Sequence, residues 1–411
     1  MQELLAYLKT FNSFLIWGFG IEGRSTYRFL RKHLGDVKIA IADARIDKTF
    51  PDDALHIEKS VPFDELKAYD ITIKSPGISL YRCSIEPGVY PITSQTELAL
   101  RFFSKQIIGI TGTKGKSTTA TLTYNLLKAE GFDTKLVGNI GQSVFDVLDE
   151  ITQQSYLVYE LSAHQLDNVH FSPHIAVLLN LYQEHLDYYK DVESYFGAKK
   201  NIFRYQNSGD FLILSDKYEF ASSAKTVTVS EEKQKKEFEA PLNVHPLTVN
   251  VLIEIAKTLE IKKSLLKDVL KEFKGLEHRL ELVAQIEGKS YYNDSIATAV
   301  EATLFALHQL PNIDTLIMGG DNRGIDYQPL ADYLKKSNIQ RVVTMFESGK
   351  ILQKLLQGSN IELFHTNSFD EALRHSKNSV LFSPASASYG SFKNFAKRGQ
   401  KFKEAVLHKT N

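Results

Sequence analysis

Several features that would place a chain in a special structural class are missing from this sequence. With one cysteine, Cys83, among 411 residues, no internal disulfide can form, and the chain suits a reducing compartment. No apolar run approaches the ~20 residues that a membrane-spanning helix needs. The first residues lack the basic stretch that precedes the apolar part of a signal peptide. We therefore expect a cytoplasmic protein that does not enter a membrane.

An excess of charge of one sign is also absent. Lys and Arg together number 49, as do Asp and Glu, so the formal net charge is zero. A general nucleic-acid binder would usually be basic, so this balance argues against that class. Hydrophobic residues make up 43% of the chain and charged residues 24%, as in ordinary globular proteins. The length allows roughly two to four domains.

The most informative segment that the chain does contain is GITGTKGKS at 109–117. An apolar run precedes it and a helix-compatible run follows, which predicts a strand, a glycine-rich turn and a helix start. Such a turn directs backbone N–H groups and the positive end of a helix toward one point, which suits phosphate. Lys116 adds a full charge, and the hydroxyl of Ser117 is placed to hold magnesium on the phosphates. The strict P-loop pattern has glycine where this chain has Ile110, but a nucleotide site is a better interpretation than a turn that binds nothing.

The hydrophobic pattern divides the chain into three blocks and predicts an α/β protein of three domains, at residues 1–92, 93–276 and 277–411. In the first block, short apolar runs alternate with a helical run, which indicates a small, parallel, Rossmann-like sheet. The second block is P-loop ATPase-like, with strands that end near Glu160 and His185 and with two later helices. In the third block, three apolar runs separated by helical patterns indicate a further Rossmann-like sheet.

A second glycine-rich turn lies in the first block. Gly18, Gly20 and Gly23 match the dinucleotide-binding fingerprint, and Asp43 stands at the end of the next strand. This pattern indicates a ligand that contains phosphate. It does not establish NAD, because a UDP-sugar presents the same diphosphate, and both ligands stay open on this pattern.

Polar side chains follow two strands of the second block. Carboxyl ends of parallel strands are where α/β sheets bind ligands, and the carboxylate of Glu160 and the imidazole of His185 suit a hard cation near nucleotide phosphates. From the residues alone, structural roles are equally acceptable. Glu160 would then cap the following helix, and His185 would be a solvated loop residue. For Lys199, the residues alone favour an ordinary solvated lysine.

A series of motifs, read in order along the chain, resembles the Mur ligase family of ATP-dependent amide-bond ligases. The motifs are GITGTKGKST, YELSAHQLD, NLYQEHLDYY, GAKKNIF, EHRLE, YYNDSIATAV, GGDNRGIDY and SPASASYGSFKNFAKRG. The resemblance covers nearly the whole chain, and its central motifs are shared by all Mur ligases and folylpolyglutamate synthases. The two ends, with WGFGIEGRS, IADAR, ITIKSPGIS and SPASASYGSFKNFAKRG, resemble the members that add D-glutamate to UDP-N-acetylmuramoyl-L-alanine.

The resemblance implies an enzyme of cytoplasmic peptidoglycan precursor synthesis that uses ATP and Mg²⁺, the latter at two sites. The substrate carboxylate would attack the γ-phosphate of ATP and become an acyl phosphate, which the incoming amine would then attack. The implied catalytic residues are Lys116, Glu160, His185 and Lys199. The implied metal ligands are Ser117, Glu160, His185 and Lys199. The lysine would be carbamylated, which turns its positive head into an anion, and Lys200 is the alternative position for this role.

The resemblance also implies sets of binding residues. For ATP they are Gly112, Thr113, Lys114, Gly115, Lys116, Ser117, Thr118, Asn250, Arg279 and Asp294. For the UDP-substrate they are Phe19, Gly20, Ile21, Asp43, Arg45, Gly77 and Asn139. For D-glutamate they are His185, Thr298, Arg323, Ser388, Tyr389 and Phe395. We expect a monomer that binds neither nucleic acid nor membrane.

Departures from the family pattern concern the substrates rather than the class of reaction. Lys114 stands in place of an asparagine, Ile296 and Arg323 each replace a lysine, and Leu247 replaces the usual partner of Asn250.

Three other functions compete with this interpretation. A sibling ligase would add another amino acid or extend folate, although the first-block fingerprint argues against folate. A non-catalytic nucleotide-binding regulator on the same fold would have no need of the second metal site. An NAD-dependent dehydrogenase would leave the P-loop unexplained.

Overall fold

The computed structural model describes residues 1–44, 46, 49–184, 188–230, 238, 244–321, 324–388 and 391–408. Of these, the residues up to Glu272 form one compact unit and those from Phe273 onward form another. Two sheets belong to the first unit and one to the second. The predicted α/β class is confirmed. The bounds of the three predicted domains stay a prediction, because the first two sheets share one unit.

The first sheet consists of parallel strands. They are β1 (Ser13–Trp17), β2 (Lys38–Asp43), β3 (Leu55–Glu58), β4 (Ile71–Lys74) and β5 (Ile92–Thr93). The helices of this region are α1 (Gln2–Leu8), α2 (Ile21–Leu34), α3 (Phe63–Ala68) and α4 (Gln95–Phe103). The strand order is β3-β2-β1-β4-β5, and every residue of β1 is buried, as a central strand covered on both faces requires.

The strand order changes direction between β1 and β4, which is where open α/β sheets bind ligands. The turn after β1 and the turn after β4 lie side by side there, and the hydroxyl of Ser75 donates to the carbonyl of Gly18 at 2.7 Å. Helix α2 starts after Gly20 and is ended by Gly35, whose φ of 62° a glycine adopts at no steric cost. This end of the helix agrees with the prediction from sequence.

The second sheet is also parallel. Its strands are β6 (Ile107–Thr111), β7 (Thr134–Gly138), β8 (Tyr156–Glu160), β9 (Ile175–Leu178), β10 (Phe211–Ser215) and β11 (Lys225–Val229). Its helices are α5 (Lys116–Glu130), α6 (Ala163–Leu166), α7 (Val192–Arg204), α8 (Pro246–Thr258) and α9 (Lys263–Glu272). The order is β11-β10-β9-β6-β8-β7. Because β6 lies between β8 and β9, the residues that follow those two strands flank the turn after β6.

The third sheet lies in the second unit and is mixed. Its strands are β12 (Glu281–Ile286), β13 (Lys289–Asn293), β14 (Thr315–Met318), β15 (Arg341–Met345), β16 (Glu362–Thr366) and β17 (Ser379–Phe382). Its helices are α10 (Val300–Gln309), α11 (Gln328–Leu334), α12 (Phe346–Leu355), α13 (Phe369–Arg374) and α14 (Phe395–Leu407).

The order of the third sheet is β12-β13-β17-β14-β15-β16. The three predicted strands correspond to β14, β15 and β17, whereas the antiparallel pair β12–β13 was not predicted. The residues of β12 are partly exposed, so they lack the continuous apolar run that marks the buried strands. Among the described helices of the chain, none has both the length and the apolar character needed to span a bilayer.

We predict that Gly23→Ala destabilises the first unit. The new Cβ would stand 2.1 Å from the carbonyl oxygen of Gly18, so the backbone would have to shift. Overpacking of this kind lowers the free energy of unfolding by about 1–3 kcal/mol, which thermal and urea unfolding would measure. Gly197→Ala in α7 is the matched control, because no described atom outside its own stretch of helix lies within 4 Å of its Cβ position. Alanine there should stabilise by about 0.5–1 kcal/mol, and equal stability of the two variants would contradict the packing argument.

Candidate nucleotide-binding site

The turn between β6 and α5 has the geometry of a phosphate loop. Gly112 has a φ of 152°, and a Cβ at this position would stand 2.8 Å from the Cβ of Leu179. Gly115 has a φ of 86° and is the residue from which α5 begins. Ser117 and Thr118 are half-buried in the first helical turn. Backbone N–H groups at the start of a 15-residue helix therefore meet a glycine turn, as the sequence predicted.

Asn180, which sequence reasoning missed, holds this loop from the end of β9. Its side-chain oxygen accepts from the backbone N–H of Thr113 at 3.1 Å and of Lys114 at 2.7 Å. Its side-chain nitrogen donates to the carbonyl of Lys114 at 3.1 Å. Because Asn180 is buried, these bonds are protected from competing water. The signal was present in the NLYQEHLDYY motif, of which Asn180 is the first residue, but only His185 was assigned a role.

Two lysine side chains converge on the carbonyl oxygen of Gly112. The Nζ of Lys116 donates to it at 3.0 Å and the Nζ of Lys199, from α7, at 2.9 Å. The side chain of Lys199 is almost fully buried and also lies over the ring of Tyr195. Burial, followed by repulsion from Lys116, lowers the pKa of Lys199 to about 7. A substantial share of its amine is therefore neutral at neutral pH.

The neighbouring Lys200 is oriented differently. Its Nζ lies over the ring of Phe220, 4.4 Å from the ring centroid. Of the two adjacent lysines, Lys199 is the one whose side chain reaches the phosphate loop.

Glu160, the last residue of β8, is fully buried beside the loop. Its Oε1 accepts from the side-chain nitrogen of Asn139 at 2.9 Å. Its Oε2 is shielded from solvent and has no hydrogen-bond partner among the described residues. The alternative role for Glu160, as the cap of the following helix, is not supported, because Ser162 caps α6 through a capping box with Gln165. A buried carboxylate oxygen without a partner suits a hard cation, so these residues fit a magnesium ion.

His185, the other predicted metal ligand, lies outside the described residues. Within the described part of the chain, no group of three or more His, Cys, Asp and Glu side chains could hold a metal ion. Lys114, one of the departures from the family pattern, forms an ion pair with Glu184 just ahead of His185. Its charge is thereby partly balanced at the rim of the loop.

Asn250, one of the predicted ATP residues, and Leu247, which replaces its usual partner, belong to α8. The side-chain nitrogen of Asn250 donates to the carbonyl of Ser230, after β11, at 2.8 Å, and Leu247 is buried. The hydroxyls of Thr248 and Thr119 are 2.9 Å apart, which ties α8 to α5 behind the phosphate loop.

The predicted UDP-substrate residues of the first sheet gather at the turns after β1, β2 and β4. The backbone N–H of Phe19 donates to Oδ2 of Asp43 at 2.7 Å, so this carboxylate holds the turn itself. Gly20 and Gly77 are exposed, and the side chain of Ile21 is 80% exposed. Arg45 lies outside the described residues.

In the second unit, Asp294 follows β13 and is buried. Its carboxylate accepts from the hydroxyl of Ser383 at 2.8 Å and from the backbone N–H of Leu280 at 3.2 Å. Burial raises the pKa of Asp294 to about 7, against the lowering effects of these hydrogen bonds and of Arg279. Arg279, the other predicted ATP residue of this unit, is half-buried.

The predicted D-glutamate residues also belong largely to the second unit. Thr298 is exposed, Ser388 is buried and Phe395 begins α14, whereas Arg323 and Tyr389 lie outside the described residues.

Sequence reasoning overlooked Arg398 in the second unit, which is fully buried. Its guanidinium donates to the carbonyls of Ser295, Ser386 and Ala387 at 2.8–3.0 Å. It therefore fixes the backbone that leads to Ser388.

These features define an α/β nucleotide-binding protein whose phosphate loop is flanked by a buried carboxylate and a buried lysine. Residues 110–267 match the Mur ligase middle domain. The chain is 32% identical to UDP-N-acetylmuramoylalanine–D-glutamate ligase of Clostridium acetobutylicum, with 98% of each chain covered. It is 31% identical to the ligase of the same name from Clostridium perfringens, also with 98% of each covered. The chain belongs to the Mur ligase family of ATP-dependent ligases.

Solved structures support the same fold. UDP-N-acetylmuramate-alanine ligase MurC from Thermotoga maritima aligns with a TM-score of 0.58 at 17% identity, over 97% of this chain and 100% of that chain. MurF ligase from Thermotoga maritima in complex with ADP aligns with a TM-score of 0.56 at 15% identity, over 100% of both chains. At these identities the likeness concerns the fold alone.

The backbone N–H of Lys114 donates to the side-chain oxygen of Asn180, whereas that of Thr113 also donates to the backbone carbonyl of Asn180 at 2.8 Å. Asn180→Ala should therefore leave the N–H of Lys114 without its partner and weaken ATP binding. Leaving such groups unsatisfied costs about 1–3 kcal/mol, so we expect the Kd for ATP to rise roughly tenfold or more. Calorimetric titration with ATP would measure this. Asn207→Ala is the control, because the side chain of Asn207 also accepts a backbone N–H, that of Gly209, but on an exposed loop. If both variants bound ATP like the wild type, Asn180 would not be a support of the loop.

Proposed function

We propose that this chain joins D-glutamate to UDP-N-acetylmuramoyl-L-alanine, at the expense of ATP, in peptidoglycan precursor synthesis. The observation that carries the proposal is the full-length similarity to clostridial enzymes named for that reaction. The phosphate loop with Lys116, Glu160 and Lys199 beside it supplies the groups that a reaction between anions needs. We further propose that the protein acts in the cytoplasm as a monomer.

The chemistry explains why cations surround the loop. An oxygen of the substrate carboxylate would attack the γ-phosphorus of ATP, forming a carboxyl–phosphate bond as the bond to ADP breaks. The amine nitrogen of D-glutamate would then attack the activated carbonyl carbon, lose a proton and expel phosphate. Both reactants of the first step are anionic, so Lys116 and the helix start would reduce their repulsion. Magnesium, when bound, would supply further positive charge on the phosphate oxygens.

The residues that would hold magnesium are Ser117, Glu160, His185 and Lys199, with Lys199 as its carbamate. The support for Glu160 is its buried Oε2, which has no hydrogen-bond partner in the part of the chain that the structure describes. Support for Lys199 over Lys200 comes from its burial, its reach to Gly112 and its lowered pKa. A neutral amine can attack carbon dioxide, forming an N–C bond and releasing a proton, and the product is an anion.

The two substrates and the nucleotide would be held as the family resemblance implies. For the UDP-substrate we propose the exposed turn residues Gly20, Ile21 and Gly77, which lie at the switch point of the first sheet. Asn250, Arg279 and Asp294 would serve ATP. The residues that would serve D-glutamate are His185, Thr298, Arg323, Ser388, Tyr389 and Phe395.

The decisive assay measures phosphate release with ATP, Mg²⁺ and UDP-N-acetylmuramoyl-L-alanine against a panel of D- and L-amino acids. We expect release with D-glutamate only. The control omits the UDP-substrate and should give no release. Release with another amino acid would indicate a sibling ligase, and ATP binding without release under any condition would favour a non-catalytic regulator.

Carbamylation can be tested apart from activity. With ¹³C-labelled bicarbonate, the wild type should give a carbamate carbonyl signal in its NMR spectrum. Lys199→Arg should lose this signal and lower turnover on the order of a hundredfold, because a guanidinium does not become the required anion. Lys200→Arg is the matched control and should keep the signal. The assignment would be wrong if the signal persisted in Lys199→Arg and disappeared in Lys200→Arg.

A further inference from the structure

A buried lysine supports one of the two ligand-facing turns of the first sheet. Lys74 is the last residue of β4, and its side chain is buried. Its Nζ donates to the carbonyl of Ile78 at 2.8 Å and lies 3.3 Å from that of Ser75. The ammonium group thus closes the turn at 75–78, and Gly77 is an exposed residue of this turn. Lys74 belongs to the ITIKSPGIS segment, but neither the P-loop chemistry nor the roles that the family resemblance implies account for a cation at this position.

The same turn is held from the other side by the second-sheet region. The hydroxyl of Tyr188 lies 2.8 Å from the carbonyl of Ile78 and 3.0 Å from that of Pro76. In return, the hydroxyl of Ser79 donates to the carbonyl of Tyr188 at 3.1 Å. The carbonyl of Ile78 is therefore shared by a lysine of the first sheet and a tyrosine that follows the His185 segment.

Two carboxylates compensate the charge of Lys74. Asp167 follows α6, and Glu22 lies in the first turn of α2; both attract the ammonium group. Oε1 of Glu22 accepts from the side chain of Gln165 at 2.9 Å. Burial lowers the pKa of Lys74 and raises those of Glu22 and Asp167, as expected for charges that share a desolvated region.

These contacts connect three segments. The first is the glycine turn that leads into α2, the second is the 75–78 turn, and the third is the stretch that follows Glu160. Because its charge is balanced by carboxylates and its donors are directed at backbone carbonyls, Lys74 is not placed to serve as a phosphate ligand. Its position suits the task of fixing the turn that presents Gly77.

We propose that Lys74 is a positioning residue for the UDP-substrate, holding the 75–78 turn against the start of α2 and the segment after Glu160. This inference deepens the proposed function and rests on it. A residue of an ion group with a merely structural role would affect the KM for ATP and the KM for the UDP-substrate alike. A positioning residue at this turn would affect the KM for the UDP-substrate alone. The distinguishing property is selectivity for the ligand of the first sheet over ATP.

The test is Lys74→Met, which keeps the length of the side chain and removes its charge. We expect the KM for UDP-N-acetylmuramoyl-L-alanine to rise about tenfold, with kcat and the KM for ATP within about twofold of the wild type. Lys67→Met, on the exposed face of α3, is the matched control and should leave all three constants unchanged. An unchanged KM for the UDP-substrate, or an equal loss with respect to both substrates, would overturn the proposal.

A second variant covers the case in which Lys74→Met does not fold, since removal of one partner leaves buried charge uncompensated. Lys74→Met combined with Asp167→Asn restores the formal charge of the group. It should fold and still show the raised KM, because the donor to Ile78 is gone. A wild-type KM in this double variant would contradict the proposal.

Calorimetric binding of UDP separates this inference from the proposed function. If the wild type released no phosphate with any amino acid, the proposed function would fail, while UDP binding could still be measured. In that case the inference requires UDP to bind the Lys74 variants about tenfold more weakly than the wild type, and equal binding would refute it.

Discussion

The crowding of positive charge at one backbone oxygen is the constraint around which the nucleotide site is organised. Lys116 and Lys199 both donate to the carbonyl of Gly112, and Lys199 does so from a buried position. Repulsion between like charges is strong where water is excluded. The arrangement is relieved when the amine of Lys199 gives up its proton or when anions enter. Both routes would serve the proposed reaction, because a neutral amine can take up carbon dioxide and phosphate oxygens can balance the charge that remains.

The backbone of the phosphate loop, on which both lysines converge, is held by residues that follow the neighbouring strands. The strand order places the ends of β8 and β9 on either side of β6, so Glu160 and Asn180 reach the loop from opposite sides. Asn180 satisfies the polar groups of the loop, and Glu160 brings a carboxylate whose free oxygen faces no protein donor among the described residues. Residues far apart in sequence thus meet because parallel strands bring their carboxyl ends to one edge.

Much of this could be predicted from sequence, and the exceptions have a physical pattern. The buried strands β1, β6, β8, β14 and β17 were found because parallel strands covered on both faces are continuously apolar. The hairpin of β12 and β13 was missed because neither strand is continuously buried: the edge strand β12 is partly exposed, and β13 beside it is buried at only two of its five residues.

Whether a functional side chain could be predicted also depended on how local its signal is. Lys116 was recognisable because its chemistry is tied to a local motif. Asn180 and Arg398 were missed because their side chains form hydrogen bonds with backbone groups that are distant in sequence. Such contacts can be recognised only in the folded chain.

The two sheets of the first unit share one apolar core, and polar side chains also connect them beside the ligand-facing turns. Asn139, predicted for the UDP-substrate, donates to Glu160, predicted for the metal. Lys74 and Glu22 belong to the turns of the first sheet, while Asp167 and Gln165 belong to the segment that Glu160 begins. These polar contacts join the turns of the first sheet to the segment that begins at Glu160. In the proposed reaction, a substrate held at those turns would have to bring the carboxylate of its L-alanyl group to the phosphate loop.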